Sequence, residues 1–189
     1  METKKNRIGV NVEDFTDSIA RVIPDLSDIN NYQKKINARR YLVDMGKEIL
    51  PQLNKLVLSK NIHLRKEASK VIEIIGDKDS IPVLINLLDD DDGSIRWIAA
   101  EGLIHIGRES IVPLLSKIVE EGDDTYLKMG ARHAFLMLFS NDEKNHFQPL
   151  LQSLKNYNNI SILAPVEAFR ALIMFKHLNV EGSRTMYSH

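Results

Sequence analysis

Apolar residues recur along this chain at the spacing of one helical face, and small or ring-closed residues interrupt them at fixed intervals. From Arg65, Ala68 follows at +3, Ile72 at +7, Ile75 at +10, Gly76 at +11 and Pro82 at +17. From Arg96 the same offsets give Ala99, Leu103, Ile106, Gly107 and Pro113, a period of 31 residues. Self-similarity on that scale marks stacked helical units rather than one closed core. Fainter copies flank the two clear ones. Upstream stand Lys35, Ala38, Leu42, Met45 and Gly46, with Pro51 one residue early. Downstream stand Lys128, Ala131, Phe135 and Leu138, with Phe139 in place of glycine and Pro149 four residues late. A last half-unit offers Ala168, Leu172 and Phe175, with Pro165 at the position of the cation.

Two helices per unit follow from these marks. Offsets +3, +7 and +10 define the buried stripe of a first helix, and alanine sits at +3, where a larger side chain would hold neighbouring helices apart. Glycine at +11 is predicted to end that helix in a left-handed conformation. Proline opens the second helix in its first turn, where its missing N–H is not needed. Second helices then bury Leu53, Leu56 and Val57, then Leu84, Leu87 and Leu88, then Leu115, Ile118 and Val119, then Leu151 and Leu154. Acidic loops, Asp89–Asp92 before Gly93 and Glu120–Asp124, close the units, and Ser140–Phe147 is predicted as a turn lengthened by an insertion.

A basic residue, then Ala, Leu and Gly, an acidic turn and Pro-x-Leu, as in Arg65 to Leu88 and Arg96 to Val119, resembles the HEAT repeat. The nearest variety is the short bacterial and archaeal type known as the phycobilin-lyase HEAT-like repeat. The resemblance covers roughly residues 31–176 and implies an all-α fold, a right-handed α-α superhelix of about four to five units. Units are expected near 31–61, 62–93, 94–124 and 125–160, with a half-unit at 161–176. Residues 1–30 form a tail and a capping helix, read from Val12, Phe15, Ile19, Val22 and Ile23 and ended near Pro24. Residues 177–189, aperiodic and containing Gly182 and Ser183, are expected to form a flexible tail.

Composition narrows the chemistry. There is no cysteine, which excludes disulfides, thiolate metal sites and cysteine nucleophiles. No run reaches the ~18 apolar residues of a membrane span, and the polar, basic stretch from Met1 to Val12 lacks the apolar core of a secretory signal. The expected compartment is the cytoplasm. Net charge is −1 but unevenly spread: 14 Lys/Arg against 9 Asp/Glu in residues 1–70, 5 against 13 in 71–130, and 6 against 4 in 131–189. An acidic middle argues against a nucleic-acid-binding face, despite the basic cluster around Lys34, Lys35, Arg39 and Arg40. No phosphate loop, nucleophile elbow or dinucleotide fingerprint is present. Glu101 and His105 share a helix face with His133 one unit on, but these offsets do not repeat, and no metal, cofactor or catalytic set is expected.

Two rows remain as candidate surfaces. The cations Lys35, Arg65, Arg96 and Lys128 form a ladder that the resemblance makes structural, each tied to carboxylates of the preceding loop. Positions three and four after each proline (Asn54 and Lys55, Ile85 and Asn86, Ser116 and Lys117, Gln152 and Ser153) are expected to line the concave side, with Ile85 as an apolar anchor. Ile36, Trp97 and Met129, one residue past each cation, form a ridge that is the next candidate. The reading is therefore a non-catalytic module that binds a protein or peptide. A chromophore-lyase-like or other HEAT-fold enzyme is the alternative, and nucleic-acid binding a further one.

Overall fold

A computed structural model describes residues 15–122, 124–155 and 163–185 of the chain, with the side chains of the last helix as far as Phe175. The N-terminal tail with Val12, Asp123 of the second acidic loop, residues 156–162 and residues 186–189 lie outside it. Among the described residues there is no strand. The helices are α1 (Phe15–Ser27), α2 (Tyr32–Met45), α3 (Leu50–Leu56), α4 (Ile62–Ile75), α5 (Ile81–Leu87), α6 (Gly93–Ile106), α7 (Ile111–Glu121), α8 (Thr125–Leu138), α9 (Asn141–His146), α10 (Gln148–Ser153) and α11 (Leu163–Thr185).

First helices α2, α4, α6 and α8 pack side by side, and α3, α5 and α7 each pack on the first helix that follows. This is an all-α solenoid. The alanines make the close approach possible: Ala38, Ala68, Ala99, Ala131 and Ala168 are all buried. A further periodic mark starts each first helix. Asn31, Asn61, Asp92 and Asp124, four residues before each cation, accept hydrogen bonds from backbone N–H groups of the first turn, which satisfies donors that a helix start leaves unpaired.

Glycine ends the first three of these helices as expected, at positive φ: Gly46 at 73°, Gly76 at 60° and Gly107 at 93°. Only Gly76 is left-handed helical. Gly46 and Gly107 have ψ of −156° and −147°, a region open essentially to glycine alone. Each then leads into a 3₁₀ turn before the second helix.

Four expectations are corrected. Pro24 does not end α1, which continues to Ser27; Pro24 and Ala20 are both exposed, so the carbonyl released by the missing N–H lies on the solvent side. Ser140–Phe147 is not a simple turn but holds α9, started by a capping box between Ser140 and Glu143. The expected tail is helical as far as Thr185, since a single Gly182 costs a helix only about 1 kcal/mol. Finally, α11 does not extend the row of first helices. It packs along α7 and α10 and runs opposite to α7, with Pro165 against Gly122 after the end of α7 and Phe175 facing Arg108 before its start. At six residues α10 is too short to cover the eleven of α7, and α11 does so. Phe139, where glycine was missing, stacks within 5–6 Å of Phe135, Phe147 and Phe175 and ties α8 to this terminal layer.

Candidate functional site

The second-helix row does not form the surface expected of it. Ile85 is 6% exposed and belongs to the core, and Ser153 is buried with its hydroxyl donating to the Leu150 carbonyl at 2.7 Å. Neither is available to a partner. Helix α5 is rotated so that the position four after its proline, not three, faces out. Asn86, Lys55 and Gln152 are exposed, while Asn54, Ser116 and Lys117 are half-buried. Asn86 and Lys117 do meet, in a small hollow of about 140 Å³ with Asp89, Glu121 and Asp124, and Lys117 is paired there with Glu121 at 2.6 Å. Ile85 and Leu127 also line that hollow, but Ile85 is too deeply buried to be the exposed anchor expected.

The cation ladder is structural at one rung and different at the next. The Arg65 guanidinium donates to both carboxylate oxygens of Asp90, at 3.0 and 3.2 Å, and to the Ser59 carbonyl at 3.0 Å. Its carboxylate thus comes from the loop that follows, not the one that precedes, and Asp90 raises its pKa further. Arg96 donates through Nη1 to the carbonyls of Asp90 and Asp91, at 2.6 and 3.1 Å, and among the described residues it has no carboxylate partner. Instead its guanidinium carbon lies over the Tyr126 ring, 3.8 Å from the centroid. Lys128 is buried and Lys35 half-buried.

The acidic loop is spent on structure. Asp90 holds Arg65. Asp92 caps α6, and hydrogen bonds from Ser94 and from backbone N–H groups keep its pKa low. Burial, and after it the neighbouring Asp124 carboxylate, raise the pKa of Asp89, while Arg96 draws it down. Among the described residues the histidines do not converge either. His105 Nδ1 lies 3.0 Å from the Glu73 carbonyl, and His133 Nε2 lies 2.8 Å from Glu101 Oε1. Among the described residues no three His, Asp or Glu side chains are grouped as a metal site.

What these contacts build is a groove between α6 and α8. Trp97 stacks on His133 with ring centroids 4.7 Å apart, and Glu101 holds the His133 ring from its other edge. With these rings, Tyr126, Met129, Ala100, Gly130, Arg96 and Gly93 line a space of about 280 Å³. Trp97 is 57% exposed, Met129 49% and Tyr126 42%, an unusual concentration in a chain with one tryptophan and few aromatics. Gly130 lies beneath: a Cβ there would stand 2.6 Å from the Leu88 side chain and would push it aside. A larger hollow, about 650 Å³ between the ends of α2 and α4, is lined by turn residues such as Gly46, Lys47 and Asp77 and presents no ring.

Periodicity placed Trp97 and Met129 on one ridge. It missed Tyr126, His133 and the engagement of Arg96, although all three sit at fixed offsets from the ladder. Ile36, the third ridge residue, is half-buried on α2, far along the array from the groove.

A family model of HEAT repeats matches residues 22–104 and again residues 49–136. The chain belongs to the HEAT-repeat family, whose repeats generally mediate protein interactions or scaffolding. No curated protein and no solved structure matches it significantly. No described helix is long and apolar enough to cross a membrane.

Proposed function

We propose that the protein is a non-catalytic interaction module whose contact surface is the α6–α8 groove, not the second-helix row. The observation that carries this reading is the exposed cluster of Trp97, Tyr126 and Met129 around a pocket large enough for one side chain. Large aromatic and thioether side chains left in water beside a preformed recess are the composition of an interface centre. Trp97 is held in place by stacking on His133, so little is lost in ordering it on binding. The second-helix row, by contrast, is short, charged and internally paired.

Affinity capture from cells with matched variants tests the assignment. A partner retained by wild type should be lost from Met129→Glu and kept by Asn86→Glu. Both positions are exposed, so both variants should fold. Retention by Met129→Glu together with loss from Asn86→Glu would return the interface to the second helices.

A further inference from the structure

We infer that the groove recognises a peptide segment in which a large apolar side chain lies next to a carboxylate, with Arg96 as the group that reads the acid. The inference rests on the groove being the contact surface and adds the chemistry of its occupant.

Arg96 lacks the seat that its counterpart one repeat earlier occupies. Twenty-five residues after Arg65 stands Asp90, its bidentate partner; twenty-five after Arg96 stands Glu121. Glu121 does not take the corresponding place. It is 58% exposed and pairs with Lys117 on its own helix at 2.6 Å. None of the four aspartates just before Arg96 forms an ion pair with it, although Asp89 lies within its electrostatic reach; Asp90 is taken by Arg65, Asp92 by the start of α6, and Asp91 is exposed in the loop. Arg96 is thus held in direction without an ion-pair partner among the described residues: Nη1 is tied to two carbonyls, and the guanidinium carbon lies over the Tyr126 ring. Among the described residues its Nε and Nη2 donate to nothing. Nη2 sits over Gly93, 3.3 Å from where a side chain would begin, so the absence of a Cβ leaves that donor uncovered at the groove.

The rest of the lining defines the ligand further. Among the described residues no carboxylate lines the groove; its walls are rings and a thioether, suited to an aliphatic or aromatic side chain. A guanidinium with a free edge prefers a planar carboxylate to any neutral acceptor. A cationic segment would meet Arg96 and be repelled. An apolar segment without an acid would fill the pocket but leave the charge unanswered.

Selection from a random linear peptide library displayed on phage, panned against the full chain, tests this. Enriched sequences should place Asp or Glu beside a large apolar residue and should not bind Trp97→Ala. A synthetic peptide of the enriched sequence should bind about tenfold more tightly than its Asn or Gln counterpart, the size of one charge-assisted contact. That preference should vanish in Arg96→Gln, whose folding is checked by its melting curve, and be reduced but not lost in Arg96→Lys, which keeps the charge without the planar fork. Salt should weaken the acidic peptide more than the amide. Trp97-dependent peptides that are neutral or basic around the anchor, or that bind equally as acid and amide, overturn the acid-reading role and leave the groove standing. Enrichment with no dependence on Trp97 overturns both.

Discussion

Arg65 and Arg96 stand one repeat apart at the same point of successive first helices, α4 and α6, and the seams beside them differ in kind. Beside Arg65 the outer edge of the α4–α6 seam carries Lys66, Ser94 and Glu101. At the matching places beside Arg96, the α6–α8 seam carries Trp97, Tyr126 and His133. Where the following helix carries a serine at that place, the guanidinium pairs with Asp90 and locks two units together. Where it brings a tyrosine, the guanidinium carbon lies over the ring and the carboxylate goes elsewhere. One repeat thus uses its cation to hold the array, and the next presents it to solvent. A repeated fold allows this because each unit's stability is set by its immediate neighbours, so one seam can be given over to binding while the next keeps the stack together.

Unequal carboxylates are the sharpest way to break the comparison. Asp90→Ala strands Arg65, whose side chain is 16% exposed beside a carboxylate only 9% exposed, and should cost about 3 kcal/mol in urea denaturation, as expected for breaking a largely buried pair. Glu121→Ala should cost less than about 0.5 kcal/mol, in line with an exposed pair. Similar losses from the two would mean that Arg65 and Arg96 are held alike.

The inner side of the seams should show no such contrast. Ala68 and Ala99 are both fully buried, so Ala68→Leu and Ala99→Leu should each destabilise by about 2 kcal/mol through overpacking. A marked difference between the two variants would extend the divergence from the edge of the seam into the core.

The smallest effect concerns a cation outside the ladder. Arg108 pairs with Glu143 at 2.6 Å across the α9 insertion, and this contact, aided by Ser140, holds the Glu143 carboxyl at about 2 instead of 4.5. Because the folded value is the lower one, the pair contributes above pH 4.5 and the contribution is lost as pH falls toward 2. Arg108 is 57% exposed, so solvent screening reduces the change to about 0.5 kcal/mol. Glu143→Gln should remove that portion of the acid slope; an unchanged slope would mean the pair adds nothing.

Much of the architecture was readable from residue types because each mark acts locally. Alanine permits approach, glycine reverses the chain, and proline starts a helix. The terminal layer was not readable in this way, since the placement of α11 on α7 depends on α10 being too short to cover its neighbour. The second-helix row failed for a related reason. Counting from proline assumes that every second helix starts in one phase, whereas Ile85 shows α5 turned inward. Trp97 and Met129 were legible as a ridge, but a groove requires knowing that Tyr126 covers Arg96 and that Glu121 has turned to Lys117. Those are side-chain choices between neighbours that spacing does not record.

Trp97 is the only tryptophan in the chain, so its emission reports on the groove without labelling. Titration of the full chain with a peptide enriched against it should shift that emission to the blue as water is displaced from the ring, with a midpoint matching the calorimetric dissociation constant. Saturating binding by calorimetry with no change in Trp97 emission would place the contact surface elsewhere and contradict the account.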